Sequence, residues 1–141
     1  MDSIIKFIEE NDQIKSLFNI EIIQAEMGNV KTKMVVRENM LNAAKICHGG
    51  ALFSFADYTF ALISNIYGNN ALAISANINF ANPAYLGDIL IATAEELNRT
   101  KSTGLYEIKI ERETDKKLIA FFTGEVFVKK SQGVKSQGVK Y

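Results

Sequence analysis

The chain contains 141 residues, and its 16 basic and 16 acidic side chains give a formal net charge of zero. This balance argues against a nucleic-acid partner and against attraction to an anionic membrane surface. The single cysteine cannot form an internal disulfide, and the sequence has neither a secretory leader nor an apolar run of about 18 residues. We therefore expect one soluble domain over residues 1–130, located in the cytoplasm.

The first half of the chain alternates between helical and extended patterns. Residues 2–18 carry apolar side chains at helical spacing, which predicts one or two short amphipathic helices. Residues 20–37 are extended in pattern around a central glycine turn and predict a hairpin. A polar connection, 38–47, leads into an apolar stretch, 48–66, which predicts a buried helix.

Four extended segments follow the helix, at about 71–80, 86–98, 106–111 and 118–128. Short turns between the last three predict consecutive antiparallel pairing. The fourth segment is apolar on both faces, which predicts a central strand. Together these elements predict an α+β fold with one long antiparallel sheet packed on one buried helix. Residues 131–141 contain SQGVK twice, and we expect a disordered tail there.

Asp57 is the only residue in the body of the apolar helix with a side chain that is charged at neutral pH in water. No residue three or four positions away carries the opposite charge. An unpaired buried carboxylate is costly unless its pKa rises or it faces a wet pocket. We interpret Asp57 as a functional residue, and the alternative is a side chain that points to solvent or caps a loop.

Two glycines, Gly49 and Gly50, stand at the start of the same helix. The first amides of a helix have no intrahelical acceptor and lie at the positive end of the helix dipole. Such amides can stabilise a developing oxyanion, and glycine allows close approach of a carbonyl group. The alternative is a simple turn before the helix.

The spacing between these groups limits how they can act together. Gly49 and Asp57 are eight residues apart, which is about 12 Å along a helix at ~1.5 Å per residue. An attacking water and the carbonyl that it attacks must lie about 3 Å apart. Two antiparallel copies of the helix could meet this requirement, so we expect at least a dimer if the site is real.

Three runs of residues carry a resemblance to a known family: Met40-Leu41-Asn42, Cys47-His48-Gly49-Gly50, and Phe55-Ala56-Asp57-Tyr58-Thr59-Phe60-Ala61. They closely resemble hotdog-fold acyl-CoA thioesterases of the phenylacetate-pathway (PaaI-like) type, over about residues 12–129. The resemblance implies a hotdog fold, in which the sheet wraps the central helix. It also implies a homodimer or homotetramer with sites at the subunit interface.

Position by position, the resemblance also implies catalytic roles. Asp57 matches the family's general base or nucleophile, and Gly49 matches the residue whose backbone amide polarises the thioester carbonyl. Asn42 and His48 match polar residues that line the site from the partner subunit. For His48 the alternative is a structural histidine that caps the start of the helix.

Three further residues are candidates for substrate binding. Gly50 is a candidate through its position beside Gly49. Ser75 and Asn77 lie on one face of the segment 71–80 if it alternates strictly, and either could match the family's polar residue on this strand. The opposite face would then be apolar and consist of Leu72, Ile74, Ala76, Ile78 and Phe80.

The resulting hypothesis is an enzyme that hydrolyses acyl-CoA or aryl-acyl-CoA to the free acid and CoA. It needs no cofactor, and His48 is the only histidine, so we expect no metal site built on histidines. Two alternatives remain open: a hotdog acyl-CoA hydratase or dehydratase, and a non-catalytic acyl-CoA-binding protein.

Overall fold

The computed structural model describes residues 2–129, 134–135 and 138–139. Its α-helices are α1 (Asp2–Asn11), α2 (Gln13–Leu17) and α3 (Gly49–Asn65). The strands of the main sheet are β1 (Glu21–Glu26), β2 (Asn29–Val35), β3 (Asn70–Phe80), β4 (Ile89–Arg99), β5 (Thr103–Arg112) and β6 (Leu118–Lys129). Every helix and strand that the sequence predicts before the tail is confirmed, with small differences at the ends.

The predicted disordered tail, residues 131–141, falls mostly outside the described residues. Two short strands are described there, β7 (Val134–Lys135) and β8 (Gly138–Val139), and they pair antiparallel. The disorder of this tail therefore stays a prediction.

The six main strands form one antiparallel sheet in the order β1-β2-β4-β5-β6-β3. Short turns join β4, β5 and β6, which pair consecutively as predicted. β3 follows α3 and joins the sheet beyond β6, so β3 is an edge strand and β6 lies next to the edge rather than at the centre. The predicted central strand is thus an interior strand, paired with β5 and β3, but it is not at the middle of the sheet. Phe127, on one face of β6, is 45% exposed. Apolar content on both faces of β6 therefore does not mean burial on both faces.

Helix α3 lies on one face of this sheet and contacts all six strands. The helix approaches the sheet closely at Gly124, where an added Cβ would lie 2.6 Å from Cζ of Phe60. The Phe60 ring packs between Phe122 and Tyr106, with ring centroids 5.4 and 5.9 Å away. A glycine at 124 thus lets a large aromatic ring of the helix seat directly on the backbone of β6. The predicted α+β hotdog arrangement is confirmed.

One stripe of α3 remains accessible, contrary to the prediction of a helix buried on every side. The accessible or partly accessible residues are spaced three or four apart and comprise Gly50, Phe53, Ser54, Asp57 and Ala61. Most of them are apolar in composition, so the sequence does not distinguish this stripe from the buried surface of the helix.

A β-bulge at Ile74 changes which residues of β3 share a face. Before the bulge Ala73 is paired with Val126, and after it Ser75 is paired with Glu125. Paired residues of neighbouring strands point to the same side of the sheet. Val126 is buried on the side of α3, so Ala73 faces α3 and Ser75 faces away. The predicted uniform alternation over residues 71–80 is therefore wrong, because one inserted residue reverses the pattern.

The two N-terminal helices pack against α3. Ile4 and Ile8 of α1 are buried there. Between the helices, Asp12 caps α2 by accepting a hydrogen bond from the amide of Ile14 at 2.9 Å. None of the helices in the described part of the chain is long and apolar enough to cross a membrane.

Candidate active site

The first amides of α3 differ in whether they have a hydrogen-bond acceptor. The Nδ1 atom of His48 accepts a hydrogen bond from the amide of Gly50 at 3.0 Å. The carbonyl of His48 accepts from the amides of Ala51 and Leu52 at 3.0 and 3.2 Å. Among the described residues, the amide of Gly49 has no acceptor. The single open amide of this helix start is therefore the one that the sequence singles out.

His48 is the N-cap residue of α3, which is the structural role that the sequence left as an alternative. Because Nδ1 accepts a hydrogen bond, a neutral imidazole carries its proton on Nε2. The exposed ring can therefore still donate one hydrogen bond outward. The amide of Gly50 is occupied by this cap, so the predicted substrate contact of Gly50 does not use its amide while His48 keeps this position.

Gly49 opens onto a cavity of about 530 Å³ next to the N-terminus of α3. The cavity is lined mostly by apolar residues: Ile46, Cys47, Gly49, Leu52, Phe80, Ala81, Pro83 and Ala84, with Asn42 and Asn82. The open amide thus faces a space suited to an apolar group with few polar contacts.

Asn42 lines the same cavity and also holds the loop before the helix. Its Oδ1 atom accepts hydrogen bonds from the amides of Ala44 and Ile46 at 2.9 and 3.3 Å. Both contacts use the oxygen, so the Nδ2 atom is left to donate into the cavity. The loop also contains Lys45 with φ +65°, a strained angle for a residue with a side chain.

Asp57 lies on the accessible stripe of α3 and lines a second cavity of about 200 Å³. The other lining residues come from α3, β3 and β6: Phe60, Ala61, Ser64, Asn65, Ala71, Leu72, Ala73 and Val126. Burial by these groups raises the pKa of Asp57 above its usual value, and the negative charge of Asp12 raises it further. A carboxylate with a raised pKa is a better proton acceptor than an ordinary surface aspartate.

The cavity at Gly49 and the cavity at Asp57 have no lining residue in common. Each cavity does, however, include one end of β3: Phe80 lies at the first cavity and residues 71–73 at the second. One chain therefore presents two separate halves of the predicted site, as the spacing along the helix requires.

Ser75 and Asn77 lie apart from both halves. They are exposed and paired with Glu125 and Thr123, on the face of the sheet that points away from α3. Ala73 instead faces the cavity of Asp57. The sequence did not point to Ala73, because an unbroken strand was expected and no residue type marks the position of the bulge.

Cys47 also lines the cavity at Gly49, where a thiol nucleophile would be conceivable. Burial raises its pKa to about 11, which keeps the thiol protonated and unreactive near neutral pH. Within the residues that the structure describes, no group of three or more His, Cys, Asp or Glu side chains could hold a metal ion.

Comparison with known proteins agrees with this geometry. The thioesterase superfamily profile matches residues 44–119, which span the helix, β3, β4 and β5. The acyl-coenzyme A thioesterase PaaI of Escherichia coli K12 is 40% identical over 116 residues, which cover 82% of this chain and 82% of that protein.

Two solved structures extend the comparison. The Escherichia coli PaaI protein from the phenylacetic acid degradation operon superposes with a TM-score of 0.88 and 36% identity, covering 92% of this chain and 93% of that chain. The Streptococcus mutans protein smu.793, solved with bound acetyl-CoA, has a TM-score of 0.76 and 25% identity, covering 79% of this chain and 89% of that chain. The chain therefore belongs to the thioesterase superfamily and has its hotdog fold.

Proposed function

We propose that this chain is a thioester hydrolase that converts acyl-CoA to the free acid and CoA, at a site built by two copies of the chain. The observation that carries the proposal is the division of the site: an open amide at the start of α3 faces one cavity, and the carboxylate of the same helix faces another. Membership of the thioesterase superfamily and the acyl-CoA thioesterase activity of its relative support the choice of substrate.

The Gly49 amide is suited to hold the carbonyl oxygen of the thioester. Attack on the carbonyl carbon places a negative charge on that oxygen, and the free N–H at the positive end of α3 stabilises this charge. Neighbouring amides are already paired with His48, so the substrate does not need to displace them.

Asp57 is suited to activate water. Its carboxylate accepts a proton from the attacking water, and its raised pKa brings it closer to the working pH of the reaction. A direct attack by the carboxylate, followed by hydrolysis of an anhydride, gives the same products. The sulfur of CoA leaves as a thiolate, since a thiol pKa of about 8.5 makes it a good leaving group.

Asn42 and His48 complete the half-site at Gly49 as hydrogen-bond donors. Each has one donor that the loop or the helix cap does not use, Nδ2 of Asn42 and Nε2 of a neutral His48. These donors would orient the thioester or the water, while the chemical step depends on Asp57.

The edge strand β3 provides the natural contact between two copies. It is 11 residues long, contains no charged residue, and exposes Leu72 and Ile74, features that sheet edges normally avoid. In an antiparallel pair of β3 strands, the C-terminal end of one lies opposite the N-terminal end of the other. That pairing would bring the Gly49 cavity of one copy to the Asp57 cavity of the other.

The first test is the release of free thiol from acyl-CoA by the purified chain and by Asp57→Asn. We predict at least a ~10²-fold loss of turnover in the variant, since it removes the general base or nucleophile and keeps the size of the side chain. Glu21→Gln, which neutralises an exposed carboxylate on β1, is the matched control and should keep wild-type turnover.

Two outcomes would contradict the proposal. Turnover of Asp57→Asn within a few-fold of wild type would remove Asp57 from the mechanism. Binding of acyl-CoA by the wild-type chain without any thiol release would favour the non-catalytic binding protein instead.

A further inference from the structure

Building on the proposed function, we infer that Phe80 determines which acyl groups the site accepts, because its ring is a movable wall of the cavity beside the Gly49 amide. Phe80 is the last residue of β3 and lines this cavity. The assignment depends on three observations about its ring, its backbone and its exposure.

The first observation is the position of the ring. An added Cβ on Gly49 would lie 3.0 Å from Cζ of Phe80, and 3.4 and 3.5 Å from Cε1 and Cε2. The tip of the ring therefore points at the α-carbon of Gly49, with no space for another atom between them. A group bound at the Gly49 amide has to lie beside this ring.

The second observation is that the backbone around Phe80 is firmly held. Phe80 is paired with Ala120 of β6. The next amide, that of Ala81, donates to the carbonyl of Ile119 at 2.8 Å, and Nδ2 of Asn82 donates to the carbonyl of Leu118 at 2.8 Å. These bonds fix the Cα of Phe80 relative to the cavity.

The third observation is that, apart from the tip against Gly49, the ring is little covered within the single chain. In the single chain Phe80 is 56% exposed, and its cross-strand partner is a small alanine. A side chain with few packing partners can change rotamer at low cost, whereas buried rings of the core cannot. A fixed backbone with a loosely held ring is suited to open or close one wall of the cavity.

The chemistry follows from this placement. When the thioester carbonyl oxygen accepts the Gly49 hydrogen bond, the acyl α-carbon lies only two bonds from that oxygen. The first carbons of the acyl group then contact the ring of Phe80, and the rest of the group extends along the apolar wall formed by Leu52 and Ile46. The ring therefore limits the width of the cavity beside the first carbons of the acyl group, where a branched or longer acyl group would first meet the protein.

The test compares wild type, Phe80→Ala and Phe80→Leu on a series of acyl-CoA substrates from acetyl- to palmitoyl-CoA, with branched and aryl-acyl members. We expect the kcat/KM ratio of bulky to small acyl groups to rise by at least ~10-fold in Phe80→Ala, the effect of about one methylene group in an apolar pocket. Phe80→Leu, which keeps an apolar side chain and folds more readily, should give a smaller shift in the same direction.

Phe127→Ala is the matched control. Phe127 is also a half-exposed phenylalanine on the sheet, but its cross-strand neighbour Leu72 precedes the bulge, and it lines neither cavity at the site. The kcat/KM ratio of bulky to small acyl groups should be the same in Phe127→Ala as in wild type. Size-exclusion chromatography of each variant checks whether Phe80 instead serves the contact between copies.

The outcomes separate the two proposals. If wild type releases no thiol from any acyl-CoA, the proposed function fails. If wild type is active and both Phe80 variants keep the wild-type substrate ratios, the role of Phe80 fails while the function stands. An equal loss on every substrate, with or without loss of the dimer, would also overturn the specificity role.

Discussion

The charge of Asp12, which lies between α1 and α2, acts on Asp57 of α3. The negative charge of Asp12 contributes to the raised pKa of Asp57, although burial is the larger cause. Asp12 also caps α2 through a hydrogen bond from Ile14. Asparagine caps a helix as well as aspartate does, so Asp12→Asn removes the charge and keeps the cap.

We predict that Asp12→Asn lowers the pKa of Asp57. The base works in its deprotonated form, so the rate rises as the pH rises through the pKa of Asp57, and this rise should move to lower pH in the variant. The measurement is the pH dependence of kcat/KM for one acyl-CoA. Glu9→Gln is the control, because Glu9 raises the pKa of Tyr58 and is not among the causes of the shift at Asp57. Identical pH profiles for wild type and Asp12→Asn would mean that Asp57 is not the titrating base.

Some candidate site residues have a local signal in the sequence. An isolated carboxylate in an apolar helix identifies Asp57, and a glycine at a helix start identifies Gly49. The sequence left open whether His48 caps the helix, since the hydrogen bond to the Gly50 amide depends on the rotamer of His48. The change of face at Leu72 and Ala73 could not be predicted either, because a single inserted residue at the bulge has no compositional mark.

At the scale of elements, the position of α3 depends on the close contact between Phe60 and Gly124. The ring lies so near the strand that any side chain at 124 would overlap it. The apolar pattern of the sequence predicted a helix packed on the sheet. It could not predict this contact, which requires knowing which turn of α3 lies over which residue of β6.

We predict that Gly124→Ala lowers the free energy of unfolding by about 1–3 kcal/mol, the usual cost of overpacking a core. Urea unfolding followed by circular dichroism measures the change. Phe60→Leu removes the ring atoms that would overlap the new methyl group. The double variant with both substitutions should therefore be more stable than the sum of the two single effects predicts, by at least ~0.5 kcal/mol. Strictly additive effects would show that the backbone of β6 can shift to accept the methyl group.

For the whole molecule, the proposed site requires that the Gly49 cavity of one copy meet the Asp57 cavity of another, because the two cavities lie apart in one chain. Both line the ends of the same edge strand, and that strand lacks the charges that normally prevent edge pairing. The spacing of Gly49 and Asp57 along the helix predicted that two copies are needed. The sequence alone could not predict which strand forms the edge. β3 and β6 are far apart in the chain, and their pairing depends on how α3 crosses the sheet.

We predict that two inactive variants complement each other when their subunits are mixed. Asp57→Asn disables one half-site, and Asn42→Asp removes the donor of the other half-site while its oxygens can still accept from Ala44 and Ile46. After joint unfolding and refolding, heterodimers make up about half of all dimers, and each has one intact site and one site with both lesions. Recovered thiol release should therefore approach about a quarter of the wild-type rate, scaled by the refolding yield of wild type treated in the same way.

The two variants refolded separately and then combined give the baseline. Activity at that baseline would show that each site lies within one chain, even if the chain hydrolyses acyl-CoA, whereas a clear excess over it requires Asp57 and Asn42 to come from different copies.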